Sequence, residues 1–304
     1  MFSTLLGALP AGPDGPIAAR DELEVHLEDI AALGDMGLEL VSDGGEPSRP
    51  ADEASAVVAR WQAASTASAV PVKAVLLGPY TGSLSTNVDA REAAERLRAT
   101  IVALAEAGCP LVEIAEPEAA GIATDPRAAT AFATAHGRLL DGSEGIHASL
   151  ALPAANLDGT RPAVLFDLAY ASYAFDLIGG PDNWRLIVQA PGDRGIIVGA
   201  LGLAAGADET REVLVWAAHY AASTNGRGLA RVGLANAPAA PGSPELARAE
   251  MLRKLAIVAE AGRIAAVEAP GEMAALLDRR AVDPRAASGG RFAPARRRGG
   301  KAVR

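Results

Sequence analysis

The chain has 304 residues, half of them hydrophobic, enough for one large core; its formal charge of −9 argues against general nucleic-acid or anionic-membrane affinity for its body. A single cysteine, Cys109, excludes an intrachain disulfide and a thiolate metal cluster. No apolar run reaches bilayer length, and no basic stretch leads into an apolar one at the start, so a cytoplasmic protein without a membrane span is expected.

Thr4 to Leu9 is a short apolar run closed by Pro10, the expected first strand. Asp21 to Leu33 carries Leu23, Leu27 and Ile30 at helical spacing, and Gly34 and Gly37 end it. Leu38 to Val41 is the second strand, followed by the polar turn Ser42-Asp43-Gly44-Gly45-Glu46-Pro47. Ala51 to Ser65 reads as helix, and Val72 to Leu77 as the third strand, ending in Gly78-Pro79-Tyr80-Thr81-Gly82. Asn87 is expected to cap a helix whose Leu97, Ile101 and Leu104 share a face and which Gly108 terminates.

Leu111 to Ala115 is strand four and delivers Glu116 and Pro117 at its far end. Asp125 to Leu140 is helical, and Ile146 to Leu152 is strand five. Pro153 to Leu168 reads as loop with a short helix, Ala171 to Leu177 as strand six, and Pro181 to Val188 as helix with Pro in its first turn. Ile196 to Leu201 is strand seven, and Asp208 to Ser223 a helix with an acidic first turn. Leu229 to Ala235 is strand eight, and a helix opens at Ser243-Pro244-Glu245 and runs to Ala261.

Eight apolar strands alternating with helices predict an α/β fold, a single (β/α)8 TIM barrel, over residues 1–265. Residues 266–304 are expected to form a C-terminal helix and a disordered Arg/Gly/Ala-rich tail; from Arg291 onward there are six Lys or Arg and no acid. Weak contact of that tail with nucleic acid is the one exception to the exclusion above. An open, doubly wound sheet is the alternative topology. In a barrel the C-terminal strand ends form the active-site rim, which directs attention to Glu116.

Four motifs then occur in order. Leu5-Leu6-Gly7-Ala8-Leu9-Pro10 resembles the Ile-Gly-Ser-Phe-Pro opening of the C-terminal catalytic barrel of cobalamin-independent methionine synthase. Leu40 to Arg49 resembles that family's His-Gly-Glu-x-x-Arg turn, and Val72 to Thr81 its Lys-Gly-Met-Leu-Thr-Gly-Pro-x-Thr segment. Val112-Glu113-Ile114-Ala115-Glu116-Pro117-Glu118-Ala119 resembles its strand-four signature. The resemblance runs from about Thr4 to Ala261, within a superfamily that also holds the uroporphyrinogen decarboxylases.

The family activates homocysteine with zinc held by His, Cys, Glu and a second Cys, and here the ligand positions differ. Its strand-five motif, Ile-His-x-His-x-Cys, lines up with Ile146-His147-Ala148-Ser149-Leu150-Ala151, so Ser149 and Ala151 fall on ligand positions. A shift by two places His147 on the ligand His and Ser149 where the thiolate belongs. Asp176 is nearest to the Glu ligand, and Leu234-Ala235-Asn236-Ala237 stands where the last Cys belongs. Both alignments lose both thiolates, so no zinc thiol-activating site is expected. The family's aspartate before Glu116 is replaced by Ala115, which bears on binding of a substrate ammonium group.

The resemblance implies a methyltransferase acting on a small polar acceptor, with a methyl-folate or methyl-corrinoid donor. Glu116, His147 and Asp176 are the candidate catalytic residues; Gly7, Glu46, Tyr80, Thr81 and Asn236 are the candidate substrate-binding residues; no metal is assigned. The alternative is a barrel of the same family that binds a ligand or assembles without catalysis. A third reading, decarboxylation of a polyanion, needs several rim arginines, and only Arg49 and Arg194 are candidates. Trp184, Trp216 and Tyr220 are expected to pack between helices, and Oligomeric state is left open by the sequence.

Overall fold

Short apolar runs separated by amphipathic segments bury both faces of each strand, which suits a parallel sheet covered by helices. A computed structural model describes residues 1–7, 22–44, 47–84, 86, 88–143, 145–203, 209–238, 248–268 and 270–277. Its strands are β1 (Phe2–Thr4), β2 (Val41–Ser42), β3 (Val72–Leu77), β4 (Val112–Ala115), β5 (Ala148–Ala151), β6 (Ser172–Asp176), β7 (Gly195–Leu201) and β8 (Val232–Asn236). All neighbours are parallel, in the order β1-β8-β7-β6-β5-β4-β3-β2. A parallel bridge between Thr4 and Leu40 joins the two ends, so the sheet closes into a (β/α)8 barrel and the open-sheet alternative is set aside.

The helices are α1 (Glu22–Asp35), α2 (Ala54–Ala67), α3 (Pro79–Leu84), α4 (Ala90–Glu106), α5 (Pro126–Leu140), α6 (Pro162–Phe166), α7 (Trp184–Ile187), α8 (Arg211–Ser223), α9 (Arg248–Ala265) and α10 (Pro270–Leu276). No helix among the described residues is long and apolar enough to cross a membrane. The cap of α4 is Asp89, whose side chain accepts from the Arg91 and Glu92 N–H groups; Asn87, the expected cap, lies outside the described residues. Gly108, at φ +92°, ends that helix in the left-handed conformation. Asp125 caps α5 through the Arg127 N–H, with Pro126 opening the helix. The first strand starts two residues earlier than its apolar run suggests. The tail at 278–304 lies outside the described residues.

Alternation along the strands separates two interiors. Val72, Ala74 and Leu76 of β3, Val112 and Ile114 of β4, and Tyr173 and Phe175 of β6 point outward into the main core beneath the helices. A second, smaller cluster of Leu6, Ala151, Ala174, Ile197 and Ala235 occupies the barrel lumen. Lumens of this fold are ordinarily layered with bulky branched side chains. Here alanine stands at several of those positions, which leaves room for two long charged side chains.

Candidate functional site

Those side chains are Lys73 and Glu113, each second in its strand and thus on the inner face of β3 and β4. Both are fully buried, and Lys73 Nζ lies 2.5 Å from Glu113 Oε2. Lys73 also donates to the Leu5 carbonyl, and the Gly7 N–H donates to Glu113 Oε1 at 2.9 Å. From β8, Asn236 Oδ1 accepts from the Leu6 N–H at 2.9 Å, and its Nδ2 donates to the Leu6 and Ala237 carbonyls. The segment Leu5–Gly7 is therefore fastened from three strands, with Gly7 at φ +75° and open space where a Cβ would stand. Asn236 is committed to this backbone. Neither Lys73 nor Glu113 is among the residues the sequence singled out, although a charge at inward parity inside an apolar strand is the signal that marks them.

Glu116 follows β4 and is fully buried. Its carboxylate accepts from the Tyr80 N–H at 2.9 Å, the Thr81 N–H at 2.7 Å and the Thr81 hydroxyl at 2.6 Å. His136 Nε2 of α5 lies 2.9 Å from Oε1, a close approach off the hydrogen-bond axis, while Nδ1 is 2.6 Å from the Tyr170 hydroxyl. Burial, then the Glu116 charge, holds the Tyr170 phenol well above its ordinary range, and the same causes raise that of Tyr80. A Cβ at Gly78 would lie 2.1 Å from Glu116 Oε1, so the carboxylate reaches the turn only because residue 78 is glycine. The candidates Glu116, Tyr80 and Thr81 thus meet, as an anchor for the β3–α3 turn.

Asp176 ends β6 on the inner face and is 1% exposed. Its carboxylate accepts from the Ile178 and Gly179 N–H groups, and burial pushes its pKa up to about 6 against those bonds. With an ordinary value of 3.8, the folded state binds more protons between those limits, so the group's stabilising protonation is complete near pH 3.8 and lost toward pH 6. Asp176→Asn is expected to match the parent near about pH 4 and to exceed its stability at about pH 7.5, read from urea midpoints. An equal gap at both pH values would remove burial as the cause.

His147 stands apart from these groups. It is exposed, precedes β5 at the N-terminal end of the barrel, and places Nε2 3.1 Å from Ser172 Oγ. Strand polarity therefore removes it from the mouth, where Asp176 and Asn236 lie. Arg194 likewise precedes β7 and donates to the Tyr170 carbonyl, so it is no rim arginine. Glu46 lies outside the described residues. Trp184, Trp216 and Tyr220 contact one another on α7 and α8, away from the lumen.

The inner face of β5 offers a neutral hydroxyl, Ser149, and a methyl, Ala151. Ser149 Oγ is buried without a hydrogen-bond partner. Cys109 sits before β4 at the opposite end, its thiol raised to about 11 by burial. Among the described residues no three His, Cys, Asp or Glu side chains converge as metal ligands would. This donor set does not fit a zinc that activates a thiol.

No protein-family model and no curated protein matches the sequence. Among solved structures the chain is similar to a B12-independent methionine synthase from Shewanella sp. W3-18-1 in complex with selenomethionine, at 14% identity and a TM-score of 0.68, covering 86% of this chain and 96% of that one. It is also similar to a protein of Listeria monocytogenes described as a vitamin-B12 independent methionine synthase, at 14% identity and a TM-score of 0.57, covering 79% and 86%. At these identities the likeness shows the fold alone, a (β/α)8 TIM barrel.

Proposed function

We propose that this chain is a methionine synthase-like barrel that holds a small polar molecule at its C-terminal mouth without zinc-dependent thiol activation. The observation that carries the reading is the inner face of β5. Ser149 and Ala151, in register with Glu113 and Ala115, offer oxygen and methyl at the positions where the sequence resemblance would put zinc ligands. Glu113, Glu116 and Asn236 are all committed to the protein's own groups, which argues against acid–base chemistry at those positions and leaves the ligand to the surface around them.

Methyl transfer from a folate- or corrinoid-type donor is the second reading. Asp176 supports it, as a strand-end carboxyl with a pKa of about 6, suited to exchange a proton near neutrality. The full-length protein is expected to carry well under one zinc per chain by elemental analysis. Its melting temperature is expected to rise with L-methionine, L-homocysteine or methyl-tetrahydrofolate. Stoichiometric zinc that survives chelator dialysis overturns the first half of the proposal. A melting temperature indifferent to every one of these compounds overturns the second.

A further inference from the structure

We propose that the mouth between β3 and β4 receives an uncharged aliphatic or thioether end of the ligand, with no requirement for an ammonium group there. This rests on the mouth being the ligand site. Leu77 and Ala115 are register partners at the C-terminal ends of the two strands. They alternate with Leu76 and Ile114, which face the main core, and so they line the inner rim. Each is partly open to solvent, whereas every other residue of its strand is buried. Ala151 pairs with Ala115 on the next strand and lies in the lumen cluster with Leu6, so the surface continues inward as apolar wall.

Among the described residues, the buried carboxylates of β4, its end and the end of β6 are held by the protein's own groups. Glu113 is held by Lys73 and the Gly7 N–H, and Glu116 by two N–H groups and a hydroxyl of α3. Asp176 stands three strands from β3 in the sheet order, bound to the Ile178 and Gly179 N–H groups. Below Ala151 on the same face, the unpartnered Ser149 hydroxyl adds a neutral polar group and no charge. An ammonium delivered here would lie against methyl groups or break an existing pair, whereas an apolar segment loses nothing by leaving water.

The test compares L-methionine with its des-amino analogue, 4-(methylthio)butanoic acid, by calorimetric titration of the full-length protein. The analogue is expected to bind at least as tightly as the amino acid. Binding of L-methionine about tenfold tighter overturns this inference and leaves the proposed function standing. Failure of both compounds, and of the other compounds named above, overturns the proposed function and this inference with it. Ala115→Asp is expected to shift preference toward L-methionine by about tenfold, and Ala115→Leu to weaken both compounds by about as much. Circular dichroism checks that both variants are folded. Affinities unmoved by Ala115→Leu show that the ligand does not touch this rim, and the inference falls.

Discussion

Lys73→Met is expected to destabilise the protein by about 3–5 kcal/mol, because it leaves the fully buried Glu113 carboxylate with the Gly7 N–H as its remaining partner. The Leu5 carbonyl loses its lysine donor in the same step. Urea unfolding should show a lower midpoint at unchanged slope, since the folded surface hardly differs. The double variant Lys73→Met with Glu113→Leu is expected to recover most of the loss, because a buried pair replaced by apolar groups of similar volume is often neutral. A single-variant loss under about 1 kcal/mol would mean that water reaches the pair in solution, and the lumen would need redrawing. The same comparison reports on the mouth, since Lys73 and Glu113 fasten Leu5 and Gly7 beside it.

Glu116→Ala is expected to cost at least about 3 kcal/mol, because it strands the Tyr80 and Thr81 N–H groups and the Thr81 hydroxyl, all buried. Glu116→Gln keeps one acceptor oxygen and should lose less. The pair separates anchoring from chemistry. If Glu116 acts only as an anchor, ligand affinity in the Gln variant follows stability, and no activity depends on its charge. A Gln variant that is as stable as the parent yet blind to every ligand would return Glu116 to the binding machinery. The 2.9 Å approach of His136 adds a check, because His136→Leu should weaken the anchor without touching the turn itself.

Much of the fold was legible because each element carries its own signal. Val72–Leu77 is bounded in the structure as its apolar run predicts, and α5 starts at Pro126 after the Asp125 cap. Boundaries moved where ladder pairing, which no local pattern encodes, decides them. Ile146 and His147 continue the apolar run of β5 but precede its first paired residue, and this moves His147 to the end of the barrel away from the mouth. At the start of α4 the sequence pointed to Asn87, which lies outside the described residues, and Asp89 is the residue whose carboxylate accepts from two N–H groups.

The candidate site was less legible, for one reason that recurs. Glu116 ends a strand, as a rim carboxylate should, yet its partners come from α3 and from His136 on α5, elements that only folding brings together. Asn236 looked free to meet a ligand, and its partner is Leu6, 230 residues away. Sequence by itself determined the period of the strands, their alternation with helices and the scarcity of sulfur. Tertiary structure alone decided which carboxylates remain at the disposal of a ligand, because a buried charge takes whatever partner lies within hydrogen-bond reach, and reach is set by the closed barrel rather than by position along the chain.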